Sequence, residues 1–466
     1  MFQQFKPIAL IFMAFCCLVS CQSIGKKSQI TIQTKTLETQ IMLHNDKFGD
    51  SKMIWLRRDT TVTENDYFPK FYTFMVKNRI QGMYVRPKNK RVTIIDQADS
   101  LAFEGLTYPD EAVIMCELNR RFSAFEGYTL GLWKRSHDLK DAYLSSKKIY
   151  EEEEAYLKQA FKQFKTGRDF RKAVTREIKY SYICNLIGPY SKKEVNVDSI
   201  SQDYVKTVLG LKKDLNAIIK TRRGTDKNVQ MVVYDYNRFL SRKAMKGETA
   251  FEHQWQSAEE NFKGETQEYL KFRTLKENYG ATSNYDAYFE KFKNSCKDKD
   301  FTTYLTDFAA QNTHNFDAAE RGTTLTDSTG KVLSWADILA QNKGKKIYLM
   351  ASGFSTFAFQ GEALAKKIND FEKNNVKVIF ISDERRKDKW LNDLKTDDAK
   401  LFQHYHLAAK DAALSAFFDK SREMKSEFSN ILIDENGKVI SRTAADVHKF
   451  DLLMRQLRTL SKVLIP

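Results

Sequence analysis

The fold of the last third of this chain is decided by two apolar runs, Lys345-Lys-Ile-Tyr-Leu-Met-Ala-Ser352 and Val376-Lys-Val-Ile-Phe-Ile-Ser382. Short, nearly continuous apolar runs of this kind are typical of strands that are buried on both faces of a sheet. The stretch between them, residues 361–371, has a helical pattern. Strands that alternate with helices predict a mixed α/β sheet with helices on both faces.

The flanking segments extend the same pattern. Residues 325–333 predict a hairpin with a turn at Ser328 to Gly330, and residues 428–440 predict a second hairpin around the Asn436-Gly437 turn. Helical patterns are predicted at three further stretches, residues 385–394, 411–418 and 447–460. We therefore predict a C-terminal α/β domain over residues 313–466.

The preceding residues follow two other patterns. Strand signals occupy most of residues 28–106, as in the alternating Ile30-Thr-Ile-Gln33, the apolar Met53-Ile-Trp-Leu56 and the β-branched Arg91-Val-Thr-Ile-Ile95. They predict a small, mostly antiparallel β-sheet or sandwich over residues 22–108. From Pro109-Asp-Glu111, which suits a helix start, amphipathic helices are predicted to residue 312. Their aromatic stripes could line a ligand groove, but packing in a core is far commoner.

The fold class is accordingly multidomain α+β: a small β-sheet or sandwich, a helical middle domain and a C-terminal α/β domain. In front of these domains stand a short basic start ending at Lys6 and an uncharged run over residues 7–20. That run is too short for a comfortable membrane span and is typical of a signal peptide. We predict a signal segment over residues 1–21.

The run ends Leu18-Val-Ser-Cys21, which resembles the lipobox of bacterial lipoproteins. The resemblance implies that Cys21 is acylated, so that the membrane is a partner through a lipid anchor. An ordinary secretory signal that happens to contain Cys16 and Cys17 is the alternative. Residues 22–29 lack the acidic cluster that resembles a surface-export signal, so we expect a periplasm-facing location in the cell envelope.

Charge and cysteine content limit the functions. The net charge of +16 could favour anionic lipid heads, acidic glycans or nucleic acid. The cations are scattered among acids, and the signal directs the chain away from nucleic acid, so we expect no nucleic-acid partner. Beyond Cys21 only Cys116, Cys184 and Cys296 remain, and no CxxC pair is present after the signal. Neither a zinc knuckle nor a redox dithiol can be inferred locally, and we expect no metal and no cofactor.

Residues 320–466 resemble the thioredoxin-like domains of the TlpA/ResA group of envelope thiol-disulfide oxidoreductases. The matching phrases are Leu325-Thr-Asp-Ser-Thr-Gly-Lys-Val-Leu-Ser-Trp335, Met350-Ala-Ser352, Ile381-Ser-Asp-Glu-Arg-Arg-Lys-Asp-Lys-Trp390 and Leu432-Ile-Asp-Glu-Asn-Gly-Lys-Val439. The order of signal, β domain, helical middle and α/β domain looks like a Bacteroidetes arrangement within that group.

The resemblance also reveals what is missing. In that family a CxxC pair follows the strand and opens a helix, because a helix N-terminus stabilises the attacking thiolate. Here Phe354-Ser-Thr-Phe357 occupies that place, and Phe428 aligns with the position of the family's cis-proline. Phenylalanine has no nucleophile, so the resemblance implies a domain without dithiol chemistry.

No other residue stands out as catalytic. Ser352 and Ser355 would need a positioned base, His404 and His406 resemble a metal-ligand spacing only weakly, and Asp383-Glu384 follows a strand as a routine loop of the family would. We assign no catalytic residue.

Two functions follow, and a third stays open. The first is a binding or scaffolding role for a protein or peptide partner, with Phe354, Phe357 and Phe428 as an apolar face. The alternative is a thiol-disulfide oxidoreductase that uses Cys116, Cys184 or Cys296. The third, recognition of anionic envelope polymers, would require the basic side chains to cluster.

Overall fold

The structure is a computed structural model, and every structural statement below concerns the residues that it describes. These are residues 27–34, 39–45, 48, 50–56, 61–67, 70–76, 79–86, 88–97, 100–122, 139–191, 210, 227–241, 250–280, 282, 284–352, 356–382, 387–395, 398–408, 412–425 and 429–463. They pack into two compact units. One comprises the described residues up to Val232 apart from residues 47–52, and the other comprises residues 47–52 and those from Val233 onward.

The N-terminal unit begins with strands. In chain order they are β1 (Lys27–Thr34), β2 (Thr39–Asn45), β3 (Asp50–Leu56), β4 (Thr61–Tyr67), β5 (Lys70–Val76), β6 (Arg79–Val85), β7 (Arg91–Gln97) and β8 (Ser100–Glu104). They form two four-stranded sheets, ordered β4-β1-β7-β8 and β3-β2-β5-β6. The three strands that the sequence indicates most clearly lie within β1, β3 and β7.

A single apolar core joins the two sheets. Ile32, Val92 and Ile94 come from the first sheet, and Phe74 and Met83 come from the second, and all of them are buried in one cluster. Alternate residues of a strand point to one face, so each sheet contributes one apolar face to this core. The pairing is antiparallel throughout the described ladders except between β1 and β7, which run parallel.

Three helices complete the described part of this unit: α1 (Pro109–Phe122), α2 (Leu139–Gln163) and α3 (Arg168–Ser191). Helix α1 begins at Pro109 with two acids in its first turn, as the sequence predicts. Its buried Ile114 and Leu118 share a core with Leu157 of α2, Val174 of α3 and Tyr84 of β6. The apolar stripe of α2 therefore contributes to a core.

Helix α4 (Lys227–Ser241) contains the division between the two units. In the second unit it is followed by α5 (Ala250–Asn261), α6 (Gly264–Glu277), α7 (Tyr285–Ser295), α8 (Lys299–Asn312) and the short α9 (Ala318–Gly322). An aromatic cluster fills the space between these helices, with Trp255, Phe272, Phe292 and Phe301 among its buried members.

The second unit continues with a seven-stranded sheet. Its strands are β9 (Thr324–Asp327), β10 (Val332–Ser334), β11 (Lys346–Ser352), β12 (Val376–Ser382), β13 (Gln403–His406), β14 (Ser429–Ile433) and β15 (Val439–Ser441). Their order across the sheet is β10-β9-β13-β12-β11-β14-β15. Strands β11, β12 and β13 run parallel, and the remaining pairs run antiparallel.

Helices cover both faces of this sheet. They are α10 (Trp335–Gln341), α11 (Thr356–Ala365), α12 (Ile368–Lys373), α13 (Lys387–Asp393), α14 (Ala413–Lys425) and α15 (Phe450–Val463). Alternate residues of β11 separate into two cores: Tyr348 and Met350 pack on one face, and Ile347 and Leu349 pack on the other. The prediction of a mixed α/β sheet covered on both faces is confirmed.

Some elements were not predicted. Strand β13 reads Gln-His-Tyr-His, which has neither an apolar run nor a clear alternation, and the sequence gives no strand signal there. Helix α10 is short and begins with a capping box between Ser334 and Asp337. No helix within the described ranges is long and apolar enough to cross a membrane.

The compact units divide the chain differently from the predicted domains. Helices α1–α3 share a core with β6, whereas α5–α8 belong to the unit that contains the seven-stranded sheet. The boundaries at 108/109 and 312/313 stay predictions, as does the signal segment 1–21, which lies outside the described residues.

Candidate functional site

Strand β11, which precedes α11 in the chain, lies inside the seven-stranded sheet between β12 and β14. Strand β11 ends at Ser352, and α11 begins at Thr356. Strand β11 pairs with β12 on one side, where Ser352 is in register with Ser382, and with β14 on the other. Ligands of α/β sheets bind at the carboxyl ends of such strands. The junction is therefore the place in this unit where a binding site is most expected.

The structure describes only some of the predicted site residues. Cys21, Phe354 and Phe428 lie outside the described residues. Phe357 is the second residue of α11, but its side chain, like that of Ser352, is not among those described. The exposure of the predicted apolar face therefore stays a prediction.

The described backbone nevertheless shows where the segments that contain Phe354 and Phe428 join the sheet. Ala351 of β11 pairs with Ser429, the first residue of β14. Phe354 follows Ser352 by two residues, and Phe428 directly precedes Ser429. Both segments thus begin or end at the same edge of the sheet.

Buried hydrogen bonds connect this sheet to the loop that follows β15. The hydroxyl of Tyr348, which is buried, donates to the carbonyl oxygen of Ala445 at 3.1 Å. The amide of Ala445 in turn donates to Gln456 Oε1 at 2.8 Å, and that side chain donates from Nε2 to the carbonyl oxygen of Tyr279 at 2.8 Å. Because each of these buried polar groups is satisfied, they stabilise one arrangement of the loop that follows β15.

A second buried node lies at Asn312, the last residue of α8. Its Oδ1 atom accepts hydrogen bonds from Thr443 Oγ1 at 2.7 Å, from the amide of Arg442 at 3.1 Å and from Ser441 Oγ at 3.3 Å. Its Nδ2 atom donates to the carbonyl oxygen of Phe308 at 2.8 Å. One side chain therefore fixes the end of β15 and the start of the next loop to a helix.

Arg442 follows β15 directly. Its side chain is buried, but some of its hydrogen-bond donors have no acceptor among the described residues. The guanidinium lies 4.3 Å from the centroid of the Phe417 ring. Its Nε and Nη1 atoms have no hydrogen-bond partner among the described residues. Burial lowers the pKa of Arg442, and the negative charge of Glu320 opposes that shift only in part. No local sequence pattern marks this residue, since an arginine after a strand usually reaches solvent.

None of Cys116, Cys184 and Cys296 forms a disulfide, and the surroundings of Cys116 and Cys296 are poorly suited to thiol chemistry. Burial raises the pKa of Cys116 in α1 to about 12, and the charge of Glu117 adds to this effect. Burial likewise raises the pKa of Cys296 to about 12, and its Sγ atom lies 3.5 Å from Glu268 Oε2. Since the thiolate is the nucleophile, neither group is activated. Cys116 and Cys184 lie in the first unit, and Cys296 lies in the second.

The two histidines of β13 are part of the core of the α/β domain. His404 stacks on Phe380 at 5.0 Å and contacts the carbonyl oxygen of Ala399 through Nε2 at 2.9 Å. Burial lowers its pKa to about 4. His406 is also buried and packs against Trp390. Within the described part of the chain, no group of three His, Cys, Asp or Glu side chains has the geometry of a metal site. Asp383 and Glu384 lie outside it.

No family model matches this chain. No curated protein matches it either. Solved structures match part of it. The thioredoxin domain of a thiol-disulfide oxidoreductase from Bacteroides vulgatus is 20% identical, with a TM-score of 0.24, over 32% of this chain and 100% of its own. Peroxiredoxin Q from Xanthomonas campestris is 19% identical, with a TM-score of 0.24, over 33% of this chain and 98% of its own.

A protein of unknown function from Bacteroides fragilis is 14% identical, with a TM-score of 0.23, over 30% of this chain and 99% of its own. Each likeness covers about a third of this chain and concerns the fold.

Proposed function

We propose that this chain is an envelope lipoprotein, anchored through Cys21, whose thioredoxin-like domain binds a peptide or protein segment and performs no dithiol chemistry. The observation that carries the proposal is the composition of the junction between β11 and α11. The strand ends at Ser352, the helix begins at Thr356, and the intervening and following residues read Gly353-Phe-Ser-Thr-Phe357. A cysteine pair would have to stand here.

The condition of the remaining thiols supports the same proposal. A thiol with a pKa of about 12 is almost entirely protonated at neutral pH, which applies to Cys116 and Cys296. The alternative function, thiol-disulfide exchange by one of the three cysteines, would need an activated thiolate. The surroundings of Cys116 and Cys296 raise the pKa of these thiols and therefore disfavour the thiolate.

The expected ligand follows from the residues that replace the cysteines. In the sequence, Phe354 and Phe357 follow β11 and Phe428 precedes β14, and the loop that follows β15 of the same sheet is held by buried hydrogen bonds. Aromatic side chains on a rigid edge favour the binding of an extended apolar segment, because they lose little conformational entropy on binding. The proposal therefore assigns the specificity to apolar side chains of the partner.

Binding to a carboxymethylated insulin chain tests this function, because that peptide is apolar and cannot exchange disulfides. Fluorescence anisotropy should detect saturable binding to the full chain, and F354S/F357S should abolish it. The matched control is L144S/L401S, which removes two exposed apolar side chains elsewhere. Binding that survives F354S/F357S, or that is lost equally in L144S/L401S, would contradict the proposal.

A further inference from the structure

A cleft in the N-terminal unit carries an unusual concentration of positive charge. It has a volume of about 610 Å³ and is lined by Arg86, Lys88, Tyr108, Gly167, Arg168, Asp169 and Lys172. Four of these side chains are cationic and one is acidic. Glu111 lies behind the cleft and adds a second carboxylate, so four positive charges face two negative ones. The cleft therefore has a net positive charge.

The two carboxylates are already occupied by Arg86, which is buried. Arg86 makes two hydrogen bonds to Glu111, at 2.6 and 2.7 Å, and two to Asp169, at 2.7 and 2.9 Å. Its guanidinium also lies between the rings of Tyr84 and Tyr108, at 4.8 and 4.9 Å from their centroids. Arg86 and the two carboxylates thus form a hydrogen-bonded floor with one net negative charge, and neither carboxylate makes an ion pair with the other three cations.

Gly167 packs directly against this floor. A Cβ atom at this position would lie 2.5 Å from Asp169 Oδ1 and 2.7 Å from Arg86 Nη2, so a larger residue would shift the ends of these two side chains. The amide of Gly167 donates to Glu111 Oε1 at 2.8 Å.

The remaining cations, Lys88, Arg168 and Lys172, are exposed and make no ion pair within the described part of the chain. Lys88 stands on the turn between β6 and β7, at 5.6 Å from the centroid of the Tyr108 ring. Buried Asn89 holds that turn, because its side chain accepts from the amide of Arg86 and donates to the carbonyl oxygen of Gly105. A rigid turn therefore presents Lys88 to the cleft.

The other two cations lie at the N-terminal end of a helix, where positive charges are unfavourable. Arg168 and Lys172 lie in the first turns of α3, four residues apart and on one face. Cations near a helix N-terminus oppose the helix dipole, and like charges at this spacing repel each other. Asp169 is the only acid in the first turn of α3, and its carboxylate is paired with Arg86 rather than with Arg168 or Lys172. Unfavourable charge placements that no ion pair compensates are expected at functional sites.

We propose that this cleft binds a phosphate group, with Lys88, Arg168 and Lys172 as its ligands. A doubly charged oxyanion matches two or three point charges, and arginine and lysine are the side chains that recognise phosphate in proteins. The phosphate belongs either to a lipid headgroup, whose phosphodiester carries one negative charge and two free oxygens, or to a free phosphate compound, which can carry two charges; both offer phosphate oxygens to the same cations. This site lies in the N-terminal unit and is independent of the proposed face on the thioredoxin-like domain.

Titration calorimetry of the full chain with inorganic phosphate at low ionic strength tests the site. The double variant R168Q/K172Q should weaken binding roughly tenfold or more, since hydrogen bonds to charged groups are lost. The control K148Q/K158Q removes the same charge from exposed positions of α2. No saturable binding of phosphate, or an equal loss in both double variants, would overturn the proposal.

Sedimentation with phosphatidylglycerol vesicles distinguishes the two sources. Vesicle binding that is weakened by R168Q/K172Q and competed by inorganic phosphate assigns the site to a lipid headgroup. Phosphate binding without such vesicle binding assigns it to a free compound.

Discussion

Ala351 of β11 is paired with Ser429 of β14, so the chain enters and leaves the predicted binding face at neighbouring points of one sheet edge. Strand β11 ends at Ser352 and α11 begins at Thr356, and a cysteine at a helix N-terminus has a lowered pKa. In the sequence, Phe354 and Phe357 stand at this junction. The proposal therefore separates the fold from dithiol chemistry at this site.

Restoring two cysteines at the junction should restore a redox pair. In a C116S/C184S/C296S background, F354C/F357C should form an intramolecular disulfide in glutathione buffer, because one position precedes α11 and the other lies in its first turn. Thiol trapping on a gel measures the oxidised fraction. The control F354C/F359C supplies the same number of thiols at the wrong spacing and should remain reduced. Equal oxidation of both variants would argue against the predicted geometry.

The native thiols should react slowly while the chain is folded. A rise in pKa from 9.0 to about 12 lowers the thiolate fraction of Cys116 and Cys296 about 1,000-fold at neutral pH. Iodoacetamide labelling, resolved by mass spectrometry of peptides, should therefore be much faster in urea than in buffer for both residues. Labelling of either at the rate of an unfolded thiol would show that it is activated or exposed.

Stability should fall in mild acid because of His404. Its pKa is about 4 in the folded chain against 6.5 as the ordinary value, so the folded state binds fewer protons between these two values. The contribution of His404 is complete above pH 6.5 and is lost progressively below it. Between pH 7 and pH 5 the free energy of unfolding should drop by about 2 kcal/mol from this group.

Urea unfolding at the two pH values measures that drop. The variant H404L should show a smaller pH dependence, whereas Y405F, which alters the neighbouring buried residue of β13, should keep it. An unchanged pH dependence in H404L would assign the acid sensitivity to other groups.

Removing the Asn312 side chain should destabilise the second unit. The variant N312A leaves the amide of Arg442 and the hydroxyl of Thr443 without their acceptor in a buried site. The expected cost is about 2–4 kcal/mol in the free energy of unfolding. The control N261A removes a side chain that bonds only within its own helix and should cost about 1 kcal/mol or less. Comparable losses in both variants would show that Asn312 contributes no more to stability than a side chain that bonds only within its own helix.

The sequence predicted those parts of the fold that local patterns determine. The apolar runs of β11 and β12 are strands because both of their faces are buried, and the Asn436-Gly437 turn places the β14–β15 hairpin. The absence of a cysteine pair in residues 353–357 is likewise a property of the sequence alone.

Other features depend on residues that are distant in the chain, and no local pattern predicts them. Arg86 meets Glu111 and Asp169 across 25 and 83 residues, so the cleft they form has no sequence motif. Strand β13 is polar in sequence, yet His404 is buried because Phe380 of the neighbouring strand packs against its ring. The burial of Arg442 over Phe417 is also set by tertiary packing rather than by propensity.

Insulin reduction by the full chain, compared with C116S/C184S/C296S, tests the central claim most directly. We predict no turnover above the uncatalysed rate in either protein, since the residues after β11 include phenylalanines and the thiols of Cys116 and Cys296 are protonated at neutral pH. Turnover by the full chain that disappears in the triple variant would contradict the proposal, because one of the three cysteines would then perform thiol-disulfide exchange.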